Sequence, residues 1–210
     1  TVEYTNNPSW LMVKALPAIS NPDEEDAISL MSAIYANTIT THIQKHLSLE
    51  KQPEQNLSQE IIRLQNQVEK LKKLQNADGS FSWWKGMKGC RYMTTSVAEM
   101  MVRLNAVAGV QKSTAKMLTS AINYLSWQTA QEVREMKKQE EKKHKVSPSE
   151  QALHYLYILS MDGRKMKQNQ EADKSYLLEK MSKMTGDFTI YGKARAAVVL
   201  AKNSQQNADY

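Results

Sequence analysis

The acidic run Asp23, Glu24, Glu25 and Asp26 in "SNPDEEDAISLM" offers carboxylates for a cation or for acid–base work. Metal ligands recur along a loop or at helical spacing, however, whereas these residues are contiguous. Their surroundings fit a different role. Asn21 stands where a helix N-cap belongs, Pro22 follows at the first helical position, and Glu24 completes a capping box. Carboxylates in a first turn also oppose the positive end of the helix dipole, by about 0.3–1 kcal/mol each. The run therefore predicts a helix start, and no metal or cofactor is expected.

Other reactive side chains are weaker candidates. His42 and His46 are four apart in "HIQKH", a spacing that can present two imidazoles to zinc, but a metalloprotease needs Glu after the first His and Ile43 stands there. They read as ordinary helix histidines. Cys90, the one cysteine, sits in "WWKGMKGCRY" with Lys88 and Arg91 close enough in sequence to favour a thiolate. No histidine lies at a recognisable pairing distance, so no catalytic residue is assigned. Trp83 and Trp84 beside a glycine turn read first as packing anchors and second as a candidate interaction surface.

Composition narrows the class. The 210 residues are 41% hydrophobic and 24% charged, ordinary values for a globular chain able to bury a core. Net charge is +6, but the Lys and Arg residues are spread along the chain and interleaved with Glu. A nucleic-acid binder gathers them into a stripe with aromatics, so no nucleic-acid partner is expected. A single cysteine excludes an internal disulfide. The absence of a run of about 18 apolar residues argues against direct insertion into a membrane as a helix. The chain begins at Thr1 without Met or a signal sequence and reads as part of a longer protein, with targeting information outside it.

The elements that must position these residues are helical. With seven glycines and five prolines, breakers are few and mark boundaries well. Residues 1–19 carry internal prolines and are expected to run extended. Periodic apolar positions then predict about seven helices, near 27–47, 57–75, 92–108, 112–144, 149–160, 173–184 and 192–202. The domain division is an extended segment 1–25, a helical domain 26–203 and a frayed tail 204–210.

These helices alternate in character. Those near 27–47, 92–108, 149–160 and 192–202 are rich in Ala, Met and aliphatics over more than one face, and the others are amphipathic with abundant Lys, Glu and Gln. A helix apolar nearly all round must be covered on several sides, so the alternation implies hairpins with an inner and an outer member. Inner helices start at steps of about 65, 57 and 43 residues, unlike the nearly fixed 20–45-residue period of a solenoid. That favours an all-α fold of the α/α-toroid type, incomplete or open because so few hairpins are present. "GSFSWW" at 79–84 and "GDFTIY" at 186–191 each precede an inner helix and would seat a Phe ring at its start.

"VEYTNNPSWLMVKALP" at 2–17, "YAN" at 35–37, and "LQNADGSFSWWKG" at 74–86 followed by "RYMTTSVAEMMVRL" closely resemble the thioester domain of bacterial alpha-2-macroglobulin-like proteins. The resemblance covers most of residues 1–110 and fades to general helical character beyond. It implies an α/α toroid and a chemistry resting on Cys-x-Glu-Gln at the start of the first helix, where the Gln side chain acylates the Cys sulfur. Counting without gaps places that motif at "DAIS": Asp26 in the Cys position, Ile28 in the Glu position and Ser29 in the Gln position. A thioester needs a thiol, and no Cys-x-Glu-Gln occurs in the chain.

The resemblance thus implies a non-catalytic, thioester-less domain, extracytoplasmic (periplasm or cell envelope), acting in non-covalent protease entrapment. Its partners would be proteases, met through the full-length parent protein, and the parent's neighbouring domains. Two alternatives stand beside it. One is a general helical scaffold or adaptor. The other is a toroid-fold glycan-processing enzyme, whose paired carboxylates would have to come from Glu99 and Glu150, the acids on otherwise acid-poor inner helices.

Overall fold

The computed structural model describes residues 8–47, 54–183 and 185–203. Among these residues the chain is all-α: α1 (Pro8–Ile19), α2 (Ala27–Leu47), α3 (Glu54–Lys72), α4 (Arg91–Ala108), α5 (Ala115–Glu141), α6 (Glu150–Asp162), α7 (Gln168–Lys183) and α8 (Ile190–Asn203). The sole β feature among them is an isolated antiparallel bridge between Gln75 and Phe81.

The helices form two layers. In the inner row α2 packs on α4, α4 on α6, and α6 on α8. Outside it, α3 lies on α2, α5 on α4 and α6, and α7 against α5 and α8, while α1 flanks α2. The sequence explains which helix goes where. α6 buries Ala152 to Leu156 without interruption and then Ile158 and Leu159, so water reaches little of its circumference. α7 buries Leu177 and Met181 alone, exposes Glu171, Glu179 and Lys183, and turns Lys180 to Glu140 of α5. Each fully buried Leu, Ile or Met contributes about 1.5–3 kcal/mol, which sets the layered packing above any local propensity.

All inner helices point the same way. At one end of the row the Ala27 N–H donates to the Trp83 carbonyl at 3.2 Å, and Glu150 at the start of α6 bonds Thr189 before α8. At the other end Lys202 Nζ donates to the Ser160 carbonyl at 3.0 Å. Each inner helix opens with a side-chain cap on its free N–H groups. The caps are Asp26 for α2, Cys90 for α4 (Sγ accepting from Met93 N–H at 3.4 Å), Ser149 for α6 and Thr189 for α8.

Two apolar clusters result. One joins α2, α3, α4 and the first half of α5, and the other joins the second half of α5 with α7 and α8. α6 belongs to both, giving Tyr155, Ile158 and Leu159 to the first and Ala152, Leu153 and Leu156 to the second. The Phe of each short repeat is buried, Phe81 in the first cluster and Phe188 in the second. Around Phe81 the chain is tied down tightly: its N–H donates to Thr94 Oγ1 at 2.9 Å and its carbonyl accepts from Cys90 N–H at 3.1 Å. Gly79 makes the turn at φ +91°, where an added Cβ would lie 2.2 Å from the Ser120 carbonyl oxygen.

The structure corrects the sequence reading in two places. Residues 8–19 are helical rather than extended, because Pro8 takes the first position of α1 and Pro17 falls in its last turn. Neither proline therefore interrupts a long stretch of the backbone ladder. Residues 1–7 and 204–210, the remainder of the expected extended segment and the expected frayed tail, lie outside the described residues. The second correction concerns α2, which starts at Ala27 with Asp26 as its cap, not at Pro22 with Asn21 as its cap. Asn21 belongs instead to the end of α1, where its N–H reaches the Ala18 carbonyl.

Candidate functional site

The start of α2 gathers the three positions that the resemblance assigns to the thioester motif. Asp26 is 8% exposed, and its Oδ1 accepts from the N–H groups of Ile28 at 2.8 Å and Ser29 at 3.1 Å. Its Oδ2 accepts from the Ser29 hydroxyl. Both oxygens thereby serve the first turn as its cap. Its neighbours separate from it: Asp23, Glu24 and Glu25 face solvent, and Glu25 pairs with Lys70 of α3. Among the described residues no group of three His, Cys, Asp or Glu side chains converges as a metal site.

The tryptophan loop leans on this helix start. Besides the bond from Ala27 N–H to the Trp83 carbonyl, the Trp83 ring stacks on Tyr92 with centroids 6.4 Å apart and planes inclined by 20°. Trp83 and Trp84 remain 40% and 43% exposed. Cys90 is half-buried, its sulfur occupied as the cap of α4. His42 lies half-buried on α2, and the side chain of His46 lies outside the described residues.

Below that rim, a cleft of about 410 Å³ opens across the inner row. Ile28 and Tyr92 form its upper wall, and Glu99, Arg103, His154 and Arg195 its charged floor. Glu99 Oε2 meets His154 Nε2 at 2.5 Å, and Glu99 Oε1 accepts from Arg103 Nε at 2.7 Å. The hydrogen bond from His154 outweighs the cost of burial, with Arg103 adding to it, so the Glu99 carboxyl is held down at about 2. Arg103 is in turn pushed up by Glu99, and it extends to the Tyr157 hydroxyl at 2.9 Å. Glu150 accepts from the Thr189 N–H at 3.1 Å and from its hydroxyl at 2.7 Å. Gly192 allows this approach, since a Cβ there would fall 2.4 Å from the Glu150 carboxylate.

The arrangement sets fixed charges of both signs into one cleft. A carboxyl serving as general acid has to keep its proton near neutral pH, and Glu99 is driven the opposite way. Guanidinium groups and carboxylates line most of this concave face, with Ile28, Tyr92 and Met100 as its apolar part. Sequence reasoning had singled out Glu99 and Glu150 but not His154, Arg103 or Arg195. His154 stands inside the apolar run "QALHYLYILS", 55 residues from Glu99, and the one available hint was a titratable residue on a buried helix face.

Comparison of the chain with family models, with curated proteins and with solved structures gives no match.

Proposed function

We propose that this chain is the thioester-domain counterpart of a bacterial alpha-2-macroglobulin-like protein in which the thioester has been lost, and that it serves non-covalent protease entrapment as a structural and docking module. The observation that carries the reading is the pairing of Asp26 with Ser29 in the first turn of an inner helix. In the resembling family these positions hold the Cys and Gln that become covalently joined. Here they are bridged by a carboxylate–hydroxyl hydrogen bond, and the remaining motif position, Ile28, faces the cleft. The inner row with its outer covering helices supports the finer proposal of an open α/α toroid, and the family likeness supports an extracytoplasmic setting.

The test uses the full-length parent protein incubated with a general protease, run on native and denaturing gels with and without methylamine. Protease retained on the native gel, released on denaturation and indifferent to methylamine is the expected result. No retention would leave the scaffold reading in its place. A denaturation-stable, methylamine-sensitive adduct would overturn the assignment of Asp26 to the Cys position.

A further inference from the structure

Six large apolar side chains are exposed at the end of the row where the inner helices begin. Trp83, Trp84 and Met87 belong to the loop before α4, Tyr92 to its first turn, and Ile190 and Tyr191 to the first turn of α8. Ile190 and Tyr191 are 80% and 74% exposed. The start of α6, which packs on both α4 and α8, lies between the two sets. Single exposed apolar residues need no account, but a group gathered on one face does. Gly86 turns the tryptophan loop at φ +86°, and nothing lies within 4 Å of the place of a Cβ there, so the loop projects into open space. Beside the rings stand Lys85, Lys88 and Lys193, exposed and without an ion pair or side-chain hydrogen bond among the described residues. The acids of this end are mostly engaged: Glu25 with Lys70, Asp26 with the turn it caps, and Glu150 with Thr189. The unpaired Asp23 and Glu24 sit in the segment that borders α3.

From this composition we propose that the end of the inner row is a contact face for an anionic lipid bilayer. The four rings rest among the headgroups with Met87 and Ile190, and the three lysines meet the lipid phosphates. Trp and Tyr favour that depth because each has an apolar body and a polar tip. Lysine suits it as well, since its stem lies along apolar surface while the ammonium group stays in water. The identity of the cations decides between a bilayer and a protein partner. Protein interfaces set arginine beside their aromatic anchors and are depleted in lysine, whereas free lysines beside Trp and Tyr match the negative potential of a lipid surface. No helix among the described residues is long and apolar enough to cross a membrane, and the contact needs none, because it lies on the surface. The inference rests on no part of the entrapment reading.

The experiment sediments the 210-residue chain with vesicles of phosphatidylcholine alone and of phosphatidylcholine mixed with phosphatidylglycerol. Binding to the mixed vesicles is expected to be at least about tenfold tighter than to the neutral ones, and to weaken as salt is raised. Lys85→Glu/Lys88→Glu should remove that preference. Trp84→Ser/Tyr191→Ser should weaken binding to the mixed vesicles at least about tenfold, and both variants should keep the circular dichroism spectrum of the wild type. Two further variants locate the contact. Lys112→Glu/Lys116→Glu makes the same charge change at the opposite end of the row, and Leu11→Ser/Met12→Ser removes exposed apolar side chains of α1. Neither should alter binding by more than about threefold. A larger loss in either of these would place the contact elsewhere and overturn the proposal. Equal binding of the wild type to neutral and mixed vesicles would overturn it too, because the lysines would then have no part. Absence of sedimentation with both would overturn it in favour of a protein partner for this face. Because no protease enters this assay, its failure leaves the entrapment reading standing, and failure of entrapment leaves this face standing.

Discussion

Glu99 on α4 and His154 on α6 meet with Oε2 and Nε2 2.5 Å apart, and the same carboxylate reaches Arg103 through its other oxygen. The bond joins two neighbouring inner helices at the floor of the cleft. Because the folded carboxyl is lowered from 4.5 to about 2, its contribution to stability is complete above pH 4.5 and is lost as the pH falls from there through 2. Screened by the water that enters the cleft, it is worth about 1–2 kcal/mol. Glu99→Gln should lower the unfolding free energy by that amount at pH 7. It should also flatten the acid limb of a plot of thermal midpoint against pH between 7 and 2, measured beside the wild type.

The cap of α2 makes a second prediction. Asp26→Ala removes the acceptor for the Ile28 and Ser29 N–H groups and leaves them in a poorly hydrated turn. The expected loss is about 1–2 kcal/mol by urea denaturation. Asp26→Asn, which keeps one acceptor oxygen, should lose less than half as much.

Gly79 and Gly86 both have positive φ, +91° and +86°, yet they differ in surroundings. Alanine at either position bears the backbone strain of about 1–2 kcal/mol. At Gly79 its methyl group would in addition collide with the Ser120 backbone, whereas nothing lies within 4 Å at Gly86. Gly79→Ala should therefore cost about 3 kcal/mol or more, and Gly86→Ala no more than about half of that. Chemical denaturation of the two variants gives the comparison.

Glu132 connects three helices. It receives Arg91 of α4 at 2.5 Å and both the N–H (2.8 Å) and hydroxyl (3.0 Å) of Ser149, the cap of α6, with the acidic and basic side chains only 17% and 18% exposed. Glu132→Ala strands the Arg91 charge and should cost about 2–3 kcal/mol. By contrast, the Lys145–Asp187 pair at 3.0 Å is open to water, and Asp187→Ala should change stability by less than about 0.5 kcal/mol.

Much of the helix layout was legible in the sequence, since the apolar period of "AISLMSAIYANT" or "QALHYLYILS" records how many sides of a helix are covered. The start of α2 was less so. Asn21-Pro22 and Asp26 are both sound capping signals, and local chemistry does not rank them. The choice is made by tertiary structure, in the bond from Ala27 N–H to the Trp83 carbonyl and in the anchoring of the Ser20 carbonyl by Gln67 Nε2 at 2.8 Å. α1 was hidden because a proline was counted against the helix without regard to its position in the turn. The charged floor of the cleft was out of reach for a different reason. Apart from the Glu99–Arg103 pair one turn apart on α4, its bonds link residues 54 apart or more, on helices whose relative rotation only packing determines, and one sequence carries no record of such pairs.

The double membership of α6 has a consequence for how the molecule comes apart. Were the two apolar clusters independent, the chain would melt in two unrelated steps; were they one, it would melt in a single step. With Tyr155, Ile158 and Leu159 on one side of α6 and Leu153 and Leu156 on the other, α6 is a plank that both clusters share, as the long α5 is from its first half to its second, and opening one cluster withdraws support from the other through these two helices. Partial opening should then begin at α7 and α8, the smaller group, with α6 releasing its amide hydrogens next and α2 and α4 last. Native-state hydrogen exchange, followed by mass spectrometry, would register this as a graded order of protection along the inner row. A uniform protection across α2, α4, α6 and α8 would mean that the plank transmits cooperativity in full.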